Sequence, residues 1–85
     1  MNYKIMIVED DPDIAELVSR HLEKLGFTIE KCIELHNVLK EFEKAKPHLV
    51  LLDINLLAYD GFYWCEKIRE KSSCPIIFLY SRNAD

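Results

Sequence analysis

Two short apolar runs, each ending in carboxylates, constrain the fold of this chain more than any other feature. Ile5-Met6-Ile7-Val8 leads into Glu9-Asp10-Asp11, and Leu49-Val50-Leu51-Leu52 ends at Asp53. Apolar runs of this length without polar alternation are typical of strands covered on both faces, as in a parallel sheet between helices. In such sheets, functional sites collect at the carboxyl ends of the strands. We therefore expect Glu9, Asp10 and Asp53 to lie close together.

The segment after the first strand carries the signals of an amphipathic helix. Asp11 is a favourable N-cap, Pro12 suits the first helical position, and Asp13 complements the helix dipole. Gly26 provides the C-terminal stop. Helical spacing predicts an inner face formed by Ile14, Leu17, Val18, Leu22 and Leu25, and an outer face formed by Glu16, Ser19, Arg20, Glu23 and Lys24.

Strands and helices alternate along the rest of the chain. Residues 27–33 predict an edge strand, and Pro47 ends a second helix whose apolar residues are Leu35, Val38, Leu39 and Phe42. Asp60 can cap a third helix, with Trp64, Cys65 and Ile68 on its inner face, and Pro75 opens a last strand, Ile76-Ile77-Phe78-Leu79. The predicted order is βαβαβαβ, an α/β sheet that is incomplete at its C-terminus.

This order leaves the last apolar strand at an edge of the sheet. Right-handed crossovers place it there, and natural domains rarely leave such a strand uncovered. We therefore expect that at least one further strand and helix are missing, or come from another molecule. A homodimer or a strand-exchanged dimer through the fourth strand would supply such a cover.

Composition narrows the class of protein. The 85 residues predict one small domain, and 15 acidic against 11 basic side chains, a net charge of −4, argue against direct binding of DNA phosphates. The N-terminus lacks the pattern of a secretory signal, and no run approaches the roughly 18 apolar residues that span a bilayer. The odd number of cysteines, without zinc spacing, favours buried thiols over disulfides. These features predict a soluble cytoplasmic protein with no membrane partner.

The carboxylates predict a metal site with phosphoryl chemistry. Mg²⁺ takes one or two carboxylates together with phosphate oxygens and water, and Asp10 and Asp53 could supply such ligands. A carboxylate beside a cation can attack phosphorus, because the cation neutralises charge on the transferring group. Asp53, at a strand end, is placed for this role. Glu9 is placed to hold a metal-bound water or to orient the ligands without binding the ion itself.

These residues resemble the receiver domain of bacterial two-component response regulators. The resemblance covers the whole chain and depends on Ile5 to Asp11, the segment Leu51-Leu52-Asp53-Ile54-Asn55-Leu56, the Asp60-Gly61 pair, and Pro75 to Leu79. It implies a five-stranded flavodoxin-like sheet of order 2-1-3-4-5. Residues 1–85 would then be a partial receiver domain that stops before the fifth strand.

The resemblance also implies roles for individual residues. Glu9 and Asp10 form the acidic pair, Asp53 is the phosphoryl acceptor, and the backbone carbonyl of Asn55 is a further Mg²⁺ ligand. The implied partner is a sensor histidine kinase, and the implied output is a winged-helix DNA-binding domain of the OmpR/PhoB class, which this chain does not contain. The implied activity is that of a self-phosphorylating acceptor with at most weak autophosphatase activity, and not that of an enzyme.

Three positions depart from the family pattern. Leu57 stands where members usually have proline. Tyr80, followed by Ser81, stands where the family has a short hydroxyl residue that contacts the phosphoryl group, so either residue could make this contact. The hydroxyl of Tyr80 lies far from the backbone, so it does not occupy the same position as the hydroxyl of a short side chain. The lysine of the fifth strand has no counterpart before residue 85.

Two alternative functions follow from these departures. A pseudo-receiver would keep the fold and signal without phosphate, as Tyr80 and the missing lysine suggest. A phosphohydrolase of the haloacid-dehalogenase type also has a nucleophilic aspartate at a strand end. That family requires a second aspartate two residues later, where this chain has Asn55.

Overall fold

The computed structural model describes residues 2–56 and 60–80 of the chain. These residues form four strands and three helices in the predicted alternating order. The elements are β1 (Lys4–Val8), α1 (Pro12–Lys24), β2 (Thr28–Lys31), α2 (Val38–Ala45), β3 (Leu49–Asp53), α3 (Gly61–Arg69) and β4 (Ile76–Leu79).

All four strands run parallel in one sheet of order β2-β1-β3-β4. Met6 pairs with Val50, which in turn pairs with Ile76 on β4. This arrangement is the four-stranded portion of the expected flavodoxin-like order and confirms the predicted fold class. Because β1 and β3 are neighbours at the centre of the sheet, the acidic segments that follow them leave the sheet side by side.

The sheet separates two apolar layers. Alternate residues of β1 and β3 point to opposite faces, as expected for strands with a period of two. Met6, Val8, Val50 and Leu52 pack under α2 and α3, whereas Ile5, Ile7 and Leu51 pack under α1. The central strands are therefore covered on both faces, which explains why their sequences are continuously apolar.

Helix α1 begins and ends as predicted, but its inner face was predicted wrongly in part. Asp11 accepts hydrogen bonds from the backbone N–H groups of Asp13 and Ile14, and Gly26 follows the helix with φ of 100°. Ser19, predicted on the outer face, is 4% exposed, whereas Leu17 is 59% exposed. The stripe that faces the sheet consists of the buried residues Ala15 and Ser19 and the partly buried Val18 and Leu22, and Leu25 is exposed beyond the helix end.

The remaining elements follow the prediction with shorter bounds. The edge strand β2 is Thr28–Lys31 rather than 27–33, and Leu35 precedes α2 while still packing against the core. Asp60 caps α3, since its Oδ1 accepts the N–H of Tyr63 at 2.9 Å. The cysteines at 32, 65 and 74 are free thiols, as expected, but only Cys32 is buried, and the other two are partly exposed. No helix among the described residues is long and apolar enough to cross a membrane.

Within the described residues, β4 has a sheet neighbour on one side only, as the sequence predicts. Its side chains Ile77 and Phe78 are exposed, and the Phe78 ring contacts that of Phe62 on α3 at a centroid distance of 5.0 Å. The opposite edge strand, β2, differs because it carries Glu30 and Lys31. Charged residues of this kind protect an edge, whereas the side chains of β4 are all apolar.

Candidate metal centre

Three carboxylates meet at the carboxyl edge of the two central strands. The register pairs Val8 with Leu52, so Glu9 and Asp53 follow at the same level on adjacent strands. One oxygen each from Glu9, Asp10 and Asp53 lies within 4.8 Å of the others. The structure therefore brings together the three side chains that the sequence predicts to be neighbours.

The carboxylates are withdrawn from solvent to different degrees. Asp53 is 1% exposed and Glu9 is also buried, whereas Asp10 is half-buried. Carboxylates this close to one another are mutually repulsive, and a bound cation would offset that repulsion. An all-oxygen donor set of this charge fits Mg²⁺, which prefers carboxylates, backbone carbonyls and water. The residues present thus satisfy the chemical requirement for a divalent cation.

Local hydrogen bonds orient two of these carboxylates. Glu9 Oε2 accepts the backbone N–H of Asp11 at 3.1 Å, and Asp53 Oδ1 accepts the backbone N–H of Asn55 at 3.0 Å. The Asn55 backbone N–H therefore lies directly beside the Asp53 carboxylate, and the role of the Asn55 carbonyl as a metal ligand stays a prediction. The Asn55 side chain is exposed.

Asp11 follows the acidic pair in sequence but has a different task. Its Oδ1 accepts the backbone N–H of Asp13 at 2.9 Å and caps α1. Asp11 is exposed, and it is not among the three carboxylates that converge. The helix-capping role that the sequence predicts for this residue is confirmed.

The acidic pair borders a depression of about 420 Å³ beside β2. Its lining includes Glu9, Asp10, Lys31 and Leu35. Lys31 Nζ lies 2.7 Å from Glu16 Oε1, so its positive charge is paired with this α1 carboxylate. Asp10, which is half-buried, is therefore reached by solvent at this depression.

The predicted phosphate contacts lie at the end of β4. Asp53 pairs with Leu79, so Tyr80 comes one residue beyond the level of the acceptor, and it is 66% exposed. Its role in contacting a phosphoryl group stays a prediction. Ser81 and Leu57 lie outside the described residues.

Sequence reasoning missed the contribution of Gly61. This residue opens α3, where alanine would be the better helix former. A Cβ on Gly61 would lie 2.6 Å from the carbonyl oxygen of Asp53 and 2.8 Å from Ile54 Cα. The signal in the sequence is a glycine directly after a capping aspartate, in a chain that has only two glycines.

Comparison with known proteins identifies relatives of this chain. The family model described as the response regulator receiver domain matches residues 5–85. The transcriptional regulatory protein YvcP of Bacillus subtilis is 50% identical over 80 residues, which are 94% of this chain and 34% of that protein. The chain thus spans about a third of the length of the curated relatives that it matches.

Solved structures give the same result. The BeF3-activated receiver domain of RstA from Klebsiella pneumoniae is 34% identical with a TM-score of 0.86, covering 96% of this chain and 70% of that one. TrrA of Thermotoga maritima, solved in complex with Mg²⁺-BeF, is 31% identical with a TM-score of 0.85, covering 94% and 70%. With a family model that spans nearly the whole chain, these likenesses show that the chain belongs to the receiver domains of two-component response regulators.

Proposed function

We propose that this chain is a phosphoacceptor module in which Asp53 takes a phosphoryl group from a histidine kinase. The observation that carries the proposal is the convergence of Glu9, Asp10 and Asp53 within 4.8 Å at the carboxyl edge of the sheet. Asp53 is the most enclosed of the three and lies at a strand end, where a fixed nucleophile is expected.

The transfer is a displacement at phosphorus. An Asp53 carboxylate oxygen forms the new P–O bond, while the P–N bond to the kinase imidazole breaks and its electron pair returns to the ring nitrogen. The Asn55 N–H holds Asp53 Oδ1 and thereby limits rotation of the carboxylate. Positioning of this kind supplies much of the rate in phosphoryl transfer.

Asp10, Asp53 and the Asn55 backbone carbonyl would hold Mg²⁺, with Glu9 as a ligand directly or through water. When bound, the ion supplies positive charge to the transferring phosphoryl group and to the carboxylates. The donor set supports this assignment, and TrrA, a structural relative, was solved with Mg²⁺-BeF.

The acylphosphate would bias the domain between two conformations and so control an attached output. Relatives named transcriptional regulatory proteins, of which this chain spans about a third, support a DNA-binding output domain outside these residues. We assign that domain to the OmpR/PhoB class and the protein to the cytoplasm. The chain would turn over no separate substrate, and autophosphatase activity would be weak at most.

The second candidate function is a pseudo-receiver that signals without phosphate. Tyr80, 66% exposed and directly after β4, favours it, because this position carries a short hydroxyl residue in the family that the chain resembles. The two candidates differ in one measurable property, which is whether Asp53 accepts a phosphoryl group.

The test is the intact mass of the chain after incubation with a small phosphodonor and Mg²⁺. We expect one added phosphoryl group on the wild-type chain and none on Asp53→Asn. The matched control is Asp11→Asn, which removes the same charge nearby and keeps an oxygen for the helix cap. This control should be labelled like the wild type.

Labelling of Asp53→Asn would refute the acceptor assignment. An unlabelled wild-type chain would leave two explanations, a pseudo-receiver or the lack of a fifth strand. The same assay on a chain extended through a fifth strand separates them, because only a pseudo-receiver would stay unlabelled.

A further inference from the structure

Gly61 holds the start of α3 against the backbone of the proposed acceptor. A Cβ at this position would approach the Asp53 carbonyl oxygen to 2.6 Å, Ile54 Cα to 2.8 Å and the Asp53 carbonyl carbon to 3.1 Å. All three atoms belong to the main chain, so no side-chain rotation can relieve the overlap. Only a residue without a Cβ permits this approach.

A backbone hydrogen bond also holds the start of α3 against the residue that follows β3. The Gly61 N–H donates to the carbonyl oxygen of Ile54 at 3.3 Å. On the helix side, Asp60 Oδ1 accepts the Tyr63 N–H, which fixes the first turn of α3. The helix terminus and the end of β3 are therefore joined directly, across the loop that separates them in sequence.

The segment that Gly61 contacts is the one that arranges the acidic site. Ile54 connects Asp53 to Asn55, and the Asn55 N–H donates to Asp53 Oδ1 at 3.0 Å. A displacement of the Asp53–Ile54 backbone would therefore move both the Asp53 carboxylate and the carbonyl group of Asn55. Because Asp53 is almost fully buried, its side chain has little room to compensate.

We propose that Gly61 is a positioning residue for the Mg²⁺ site, and this inference rests on the proposed function. Gly61 touches neither the ion nor the phosphoryl group. It sets the distance between α3 and β3 at which Asp53 and the Asn55 carbonyl can bind the same cation.

The experiment compares Mg²⁺ affinity in Gly61→Ala and Gly26→Ala by isothermal titration calorimetry, at temperatures where circular dichroism shows each variant folded. Gly26 is the matched control because its φ of 100° strains an alanine, yet nothing lies within 4 Å of its Cβ position. It lies at the far end of α1, roughly 20 Å from the site by helical rise.

Both substitutions should lower thermal stability, but only Gly61→Ala should weaken Mg²⁺ binding. We expect its Kd to rise about 10-fold or more, as for other residues that orient metal ligands. Equal Mg²⁺ affinity in the wild type and Gly61→Ala would overturn this inference alone. Failure of the wild-type chain to bind Mg²⁺ would overturn the metal site of the proposed function as well.

If Gly61→Ala does not fold, a measurement on the wild-type chain tests the coupling between Gly61 and the Mg²⁺ site. In an NMR titration with Mg²⁺, the amide resonances of Gly61 and Asn55 should shift with the same midpoint, while that of Gly26 stays constant. A Gly61 resonance that is insensitive to Mg²⁺ while Asn55 shifts would contradict the coupling.

Discussion

Burial alters the acid–base chemistry of Cys32, which directly follows β2 and packs in the α2–α3 layer. Desolvation, followed by the charge of Glu41, raises the pKa of its thiol from 9.0 to about 12. The Sγ–H group donates to the Glu34 carbonyl oxygen at 3.7 Å. The sequence predicts a buried thiol here, but the pKa depends on the depth of burial and on the neighbours.

This shift predicts a loss of stability in alkaline solution. Below pH 9 the thiol is protonated in both the folded and the unfolded chain, so stability is unaffected. Between pH 9 and about 12 only the unfolded chain ionises, and the free energy of unfolding falls by up to about 1.4 kcal/mol per pH unit.

Urea unfolding of the wild type and Cys32→Val across this range isolates the effect, because lysine and tyrosine titrations are common to both proteins. The free energy of unfolding of the wild type should fall relative to that of Cys32→Val as the pH rises. A constant difference would contradict the raised pKa.

At the scale of elements, α1 shows how far periodicity predicts burial. The cap at Asp11 and the stop at Gly26 depend on local chemistry, and both are observed. The predicted stripe favoured Leu17, but the helix presents Ala15 and Ser19 to the sheet. Leu17 lies two residues from Ser19, roughly 160° away around the helix, so both cannot face the sheet. Apolarity alone did not identify the face on which the helix packs.

The α1 cap can be measured directly. Asp11→Ala removes the acceptor of the Asp13 N–H and should lower the free energy of unfolding by about 1 kcal/mol. Asp11→Asn keeps an acceptor oxygen and should lose much less. Chemical denaturation of both variants provides the test, and equal losses would show that charge rather than capping determines the stability.

At the scale of the whole molecule, the two edges of the described sheet differ in their side chains. β2 carries charges, and Lys31 pairs with Glu16 on α1. β4 carries Ile77 and Phe78 in exposed positions, and a groove of about 680 Å³ lies between it and α3. An apolar edge of this kind is a site for pairing with another chain.

We therefore expect the 85-residue chain to self-associate through β4. Sedimentation velocity should show a weight-average coefficient that increases with concentration. Ile77→Lys should suppress this increase, since a lysine on an edge strand opposes pairing. The matched control is Leu17→Lys, because Leu17 is 59% exposed and Ile77 is 52% exposed. A wild-type chain that remains monomeric at every concentration would contradict the prediction.

The sequence by itself determined the features that depend on neighbouring residues in the chain. Strand and helix order, the caps at Asp11 and Asp60, and the carboxylates at strand ends all follow from local patterns. The meeting of Asp10 and Asp53 also followed, because parallel strands end at one edge. Tertiary structure decided which face of α1 is buried, how far the pKa of Cys32 shifts, and how closely Gly61 approaches Asp53. These properties depend on distances between elements far apart in sequence, which no local pattern encodes.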